Sequence, residues 1–163
     1  MDNKERLETL WESHNFYLKQ INTLEEEFAF LVQRARLLFY QPVIESMRKM
    51  DADPLFEATL PPDVVKDVKD LLKDYDVEEV PVEKRVLLPQ IKRVSKDLDA
   101  LYLKHLHTLK DIKAFYRDFP YDVPTNHELS DPKLIDHLAI STKRLIKAHR
   151  KSARILYKEV KSY

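Results

Sequence analysis

The segment 7-LETLWESHNFYLKQINTLEEEFAFLVQRARLL-38 decides the fold. Leu7, Leu10, His14, Tyr17, Ile21, Leu24, Phe28, Leu31, Ala35 and Leu38 follow one another at alternating steps of three and four. That spacing places them along one stripe of an α-helix and predicts a helix over about residues 3–40, ended by Pro42 and roughly 55 Å long at about 1.5 Å per residue. Trp11, Leu18, Val32 and Phe39 fill the neighbouring seam, and Phe16, Phe30 and Leu37 widen the face. A two-stranded zipper needs a narrower stripe, so this helix should bury itself against two or more partners. Any aromatic left pointing outward, with Phe16 and Phe30 as the candidates, would mark a protein contact.

Downstream, Pro42, Pro54, Pro61 and Pro62 interrupt the pattern. They leave room for a short helix at about 43–50, a turn at "DADP", and a second short helix opened by "LPPD" over about 62–75. After the extended "VEEVPV", a new heptad series reads Ile91, Val94, Leu98, Leu101, His105, Thr108, Ile112, Phe115 and Phe119. It predicts a long helix over about 83–118, with Pro89 either in its first turn or kinking it. The stretch 119–130, rich in Pro, Asp, Asn and Ser, reads as a loop. Asp131 as N-cap and Pro132 at the first helical position then launch a last helix over 131–161. Its inward line is expected to be Ile135, Leu138, Thr142, Leu145, His149, Ala153, Leu156 and Val160. No alternating strand pattern occurs. The expected architecture is all-α: an elongated three- or four-helix bundle with coiled-coil-like heptad packing, a single domain spanning 1–163.

Composition removes several chemistries. The chain has no Gly, where average usage would give roughly eleven. Walker-type phosphate loops, dinucleotide fingerprints and the serine nucleophile elbow all need Gly, because backbone must reach positive φ or approach a ligand closely. The absence of Cys removes disulfides, thiolate catalysis and Cys-ligated metals, and suits a reducing, intracellular setting, cytoplasmic or nuclear. With no long apolar run and no hydrophobic signal region in "MDNKERLETL", no membrane partner is expected.

Charge is balanced in total, with Lys+Arg and Asp+Glu at 28 each, but not along the chain. Residues 1–82 hold 10 bases and 18 acids; residues 83–163 hold 18 bases and 10 acids. Two candidate binding surfaces follow. On the last helix, Lys143, Arg144, Lys147, Arg150, Lys151, Arg154, Lys158 and Lys161 form a basic stripe opposite the expected core side, with Glu159 the one acid between Lys143 and Lys161. Such a stripe can neutralise phosphates or an acidic partner. The segment "DVVKDVKDLLKDYDVEE" supplies an acidic dock from Asp63, Asp67, Asp70, Asp74, Asp76, Glu78 and Glu79, which could instead compensate the stripe within the chain.

His14 and His105 hold seam positions and fall at similar heights if their helices run antiparallel. Two inward imidazoles could ligate a metal or sense pH, yet the Glu-x-x-His motif of dinuclear bundles is missing. They read as hydrogen-bonded seam residues, and no metal or cofactor is expected. No nucleophile, base and orienting group share a recognisable spacing, so the chain reads as a non-enzyme. The expected function is a helical protein-interaction or assembly protein that self-associates as a homo-oligomer or joins a protein partner. The alternative is sequence-independent nucleic-acid binding through the basic last helix.

Overall fold

The computed structural model describes residues 2–49, 55, 58–74 and 82–163. Its principal helices are α1 (Asn3–Lys49), α2 (Pro62–Asp74), α3 (Lys84–Asp118) and α4 (Pro132–Ser162), with a 3-10 turn at Pro120–Asp122. The protein is an all-α helical bundle, with no strand among the described residues.

Local chemistry accounts for each helix start. Asp2 accepts the Glu5 N–H on Oδ1 at 2.8 Å and the Arg6 N–H on its carbonyl at 3.0 Å, a polar cap on α1. Val65 N–H donates to the Pro61 carbonyl at 3.1 Å at the head of α2. The Glu83 carbonyl accepts from Val86 and Leu87 at 3.1 and 3.0 Å, which starts α3 at Lys84 and leaves Pro89 inside the helix. Asp131 Oδ1 takes the Lys133 N–H at 2.9 Å, so α4 opens with the expected Asp-Pro cap.

One boundary differs from the sequence reading. Helix α1 does not stop before Pro42 but runs through it to Lys49, so the separate helix expected at 43–50 is part of α1 as far as Lys49. Proline removes one N–H and crowds the preceding turn, at a cost of about 3 kcal/mol. Leu37 and Leu38, just before it, are both buried, and tertiary packing of this kind outweighs local propensity. Met50, the "DADP" turn at 51–54, Tyr75 and the link at 77–81 lie outside the described residues.

The packing forms two compact units whose boundaries fall inside helices. The first comprises the chain up to Phe28 together with Lys92–Ile155, and the second Ala29–Ile91 with Leu156–Tyr163. In the first unit, α3 runs antiparallel to both α1 and α4. Leu7 and Trp11 share a core cluster with Leu109, Ile112, Phe115 and Ile135, while Ile21 shares a second with Leu98, Tyr102 and Ile146. Lys113 pairs with Asp136 at 2.7 Å and Arg150 with Asp99 at 2.7 Å, matching the antiparallel heights of α3 and α4. Three helices thus enclose one seam.

The inward line of α4 differs from expectation at one position. Leu145 is 46% exposed, whereas Ile146, at 7%, joins the second cluster. The inward rows are Ile135, Thr142 and His149 and, four residues further along in sequence each time, Ala139, Ile146 and Ala153. Leu138 and Leu145 form the row beside them; their greater apolarity than Ala139 makes that row look like the core from sequence.

The loop after α3 is tied to the bundle. Trp11 Nε1–H donates to the Tyr116 hydroxyl at 2.9 Å, and that hydroxyl donates to the Leu129 carbonyl. The Trp11 indole stacks on the His127 ring with centroids 3.7 Å apart and planes 6° from parallel. His127 Nδ1 accepts the Leu129 N–H at 3.0 Å. Tyr116→Phe deletes the relay and leaves a buried indole N–H and a carbonyl without partners. A loss of about 1–3 kcal/mol in urea unfolding is expected, with faster hydrogen exchange at Leu129; unchanged exchange there would show that the loop is held by other contacts.

In the second unit, Leu31, Ala35, Leu37, Leu38, Val82, Leu87, Ile91, Leu156 and Val160 are buried. Phe39 lies against Tyr163 with ring centroids 5.5 Å apart. Tyr40 OH donates to Asp67 at 3.4 Å, and Lys84 Nζ to the Lys161 carbonyl.

Candidate interaction surface

Because α4 turns its inward rows toward α1 and α3, its opposite side is free for the basic stripe. Lys143, Arg144, Lys147, Arg150, Lys151, Arg154, Lys158 and Lys161 are all exposed. At about 100° per residue Lys147, Lys151 and Arg154 centre nearly opposite Thr142 and His149. The expectation of a solvent-facing stripe is therefore met, and Ile140 and Ile155 share that outer side, each nearly half exposed.

Arg150 is the stripe member with an ion pair among the described residues: Nε reaches Asp99 Oδ1 at 2.7 Å and Nη2 reaches Oδ2 at 3.2 Å. This is a bidentate fork, the strongest geometry a guanidinium makes with a carboxylate. Sequence spacing could not reveal it, since the partners lie 51 residues apart; only the antiparallel register of α3 and α4 brings them level. Lys143 through Arg154 belong to the first unit, Lys158 and Lys161 to the second.

Of the expected acidic dock, Asp63, Asp67 and Asp70 are exposed on α2 in the second unit. Asp67 accepts the Tyr40 hydroxyl, so part of its hydrogen-bonding capacity is used within the unit. Asp74 closes α2, and Asp76, Glu78 and Glu79 lie outside the described residues.

The seam histidines meet as their heights suggested. His105 Nε2 and His14 Nδ1 are 2.8 Å apart, between the two core clusters of the first unit, and both residues are buried. Two imidazole nitrogens at that distance share one proton, so one ring donates and the other accepts. Burial pushes His105 down to about 4, helped by its neighbour His14, and pushes His14 down too, opposed by the Glu128 carboxylate. Both rings are held neutral at pH 7. His149 Nε2 faces the Ser95 carbonyl at 3.0 Å, and since a carbonyl only accepts, Nε2 carries the hydrogen there.

Three open cavities of about 350–400 Å³ surround the loop end of the first unit. One is lined by His127, Ser130 and Asp131, the residue types of a hydrolytic triad. Their hydrogen bonds are spent elsewhere: His127 on the Leu129 N–H, Asp131 on the α4 cap, while Ser130 Oγ is buried without a partner. No nucleophile–base–acid chain exists there. Among the described residues no group of three His, Asp or Glu is placed to hold a metal, and no helix is long and apolar enough to cross a membrane.

No family model, curated protein or solved structure matches the chain.

Proposed function

We propose that this chain is a non-catalytic helical interaction and assembly protein, working inside the cell and associating with further copies of itself or with another protein. The observation that carries this reading is Phe16. Its ring is 56% exposed in the middle of α1, beside a seam already filled by His14, Ile21 and their partners on α3. It makes an edge contact with Tyr17, at 5.7 Å between centroids. Aromatic rings are enriched in protein interfaces, where desolvating one returns far more than it does for a small side chain. Leu103 on α3 and Leu145 on α4 are likewise nearly half exposed, so all three helices of the first unit carry apolar side chains on their outer sides.

Sedimentation across a wide concentration range tests the reading. Oligomers that dissociate on dilution are expected, with the transition moved to higher concentration by Phe16→Glu at unchanged helicity. A monomer throughout, with no partner captured through this ring, refutes it.

A further inference from the structure

We propose that the outer side of α4 from Lys143 to Arg154 binds the phosphate backbone of a nucleic-acid duplex without reading its sequence. Between Asp136 and Glu159 the chain holds no acid. In that interval the first unit places Lys143, Arg144, Lys147, Arg150, Lys151 and Arg154 on the exposed side of one continuous helix. Arg150 is committed to Asp99. The other five have no ion pair among the described residues.

Helix geometry suits this ligand. Lys143, Lys147, Lys151 and Arg154 recur at steps of four, four and three, or about 6, 6 and 4.5 Å along the axis. Each strand of a duplex offers a phosphate about every 3.4 Å of its own axis, so phosphates are denser than the cations and each cation finds one. An ordinary solvated helix face mixes signs so that Glu and Lys pair four residues apart; this one does not.

The residue types decide between partners. Lys is depleted in the cores of protein–protein interfaces, yet it supplies Lys143, Lys147 and Lys151 here, and as a point charge it suits a phosphate backbone. A single-stranded ligand would call for aromatic rings on which bases stack. Between Lys143 and Arg154 no exposed residue carries an aromatic ring, and Tyr157, the next along the stripe, is half-buried. Helix α4 also contains no Asn or Gln, the usual readers of adenine. The lysines and arginines of this side suit the phosphate backbone of a duplex.

The inference does not depend on self-association, and its readout is separate. Fluorescence anisotropy of a labelled duplex of about 20 base pairs, titrated with the full chain, reports binding directly. Five neutralised phosphates predict a slope of log K against log salt of about −4.5, a weakening of about 500-fold between about 50 and about 200 mM salt. The triple substitution Lys147→Gln, Lys151→Gln, Arg154→Gln should reduce that slope by about 2.7 and weaken binding equally for duplexes of unrelated sequence. All three residues are exposed, so circular dichroism should be unchanged. Absence of binding at the lowest salt, indifference to the triple substitution, or preference for one sequence or for single strands would each overturn the proposal. So would binding of poly-glutamate with the duplex ignored, which would assign the ridge to an acidic protein.

Discussion

Taking the protein from about pH 7 to about pH 4 is expected to remove on the order of 3 kcal/mol of folding stability, read as a fall in the urea midpoint. The source is the His14–His105 pair. In the unfolded chain each imidazole titrates near 6.5, whereas in the fold His105 is pushed down to about 4 and His14 is lowered as well. Below 6.5 the unfolded state therefore binds protons that the folded state refuses, and stability falls with pH until the folded pair also titrates. Geometry sharpens the penalty. One added proton can sit on an outer ring nitrogen and leave the N–H···N bond at 2.8 Å intact, but full protonation puts hydrogens on both facing nitrogens. The discriminating variant is His14→Leu with His105→Leu, which replaces both polar partners by apolar groups and should be near neutral at pH 7 while flattening the acid limb between 6.5 and 4. An acid limb unchanged in the double variant would assign the effect to carboxylates instead. His105→Leu alone leaves His14 buried without its partner and should cost about 1–3 kcal/mol at neutral pH.

Truncating Ile146 to Ala should cost about 2–5 kcal/mol, whereas Leu145→Ala, its neighbour in sequence, should stay within about 0.5 kcal/mol. Ile146 is 7% exposed and packs with Ile21, Leu98, Tyr102 and Leu106, so deleting its methyl groups opens a cavity among three helices. Leu145, 46% exposed, already spends much of its surface in water. Equal losses at the two sites, measured by chemical unfolding, would mean that α4 is rotated from the orientation described.

That contrast shows where sequence was sufficient and where it was not. Periodicity located α2, α3 and α4 to within a residue or two of their ends, because heptad spacing, the Asp-Pro cap and the proline pairs are local signals. It also aligned His14 with His105, since antiparallel seams of similar length leave few registers. Choosing between Leu145 and Ile146 depends on which of two adjacent rows faces the partners, and the small Ala139 in the row of Ile146 disguises it. The run through Pro42 was equally illegible, because local propensity stops a helix there and only packing carries it on. The Arg150–Asp99 fork and the Trp11–Tyr116–Leu129 relay join residues distant in sequence, and no spacing rule reaches them. The exposure of the basic stripe, by contrast, was legible, because eight cations at helical spacing with one acid among them are costly to bury.

The interleaved build of the first unit has a consequence for synthesis. Residues up to Phe28 form one compact unit with Lys92–Ile155, and 63 residues separate Phe28 from Lys92. At translation speeds of about 5–20 residues per second, α1 waits about 3–13 seconds on the ribosome before the first of those partners is made, and longer before α4 can close the seam. Throughout that interval Leu7, Trp11 and Ile21 lack the α3 and α4 side chains that bury them in the fold, so this amphipathic segment carries exposed apolar surface while the rest of the unit is being made.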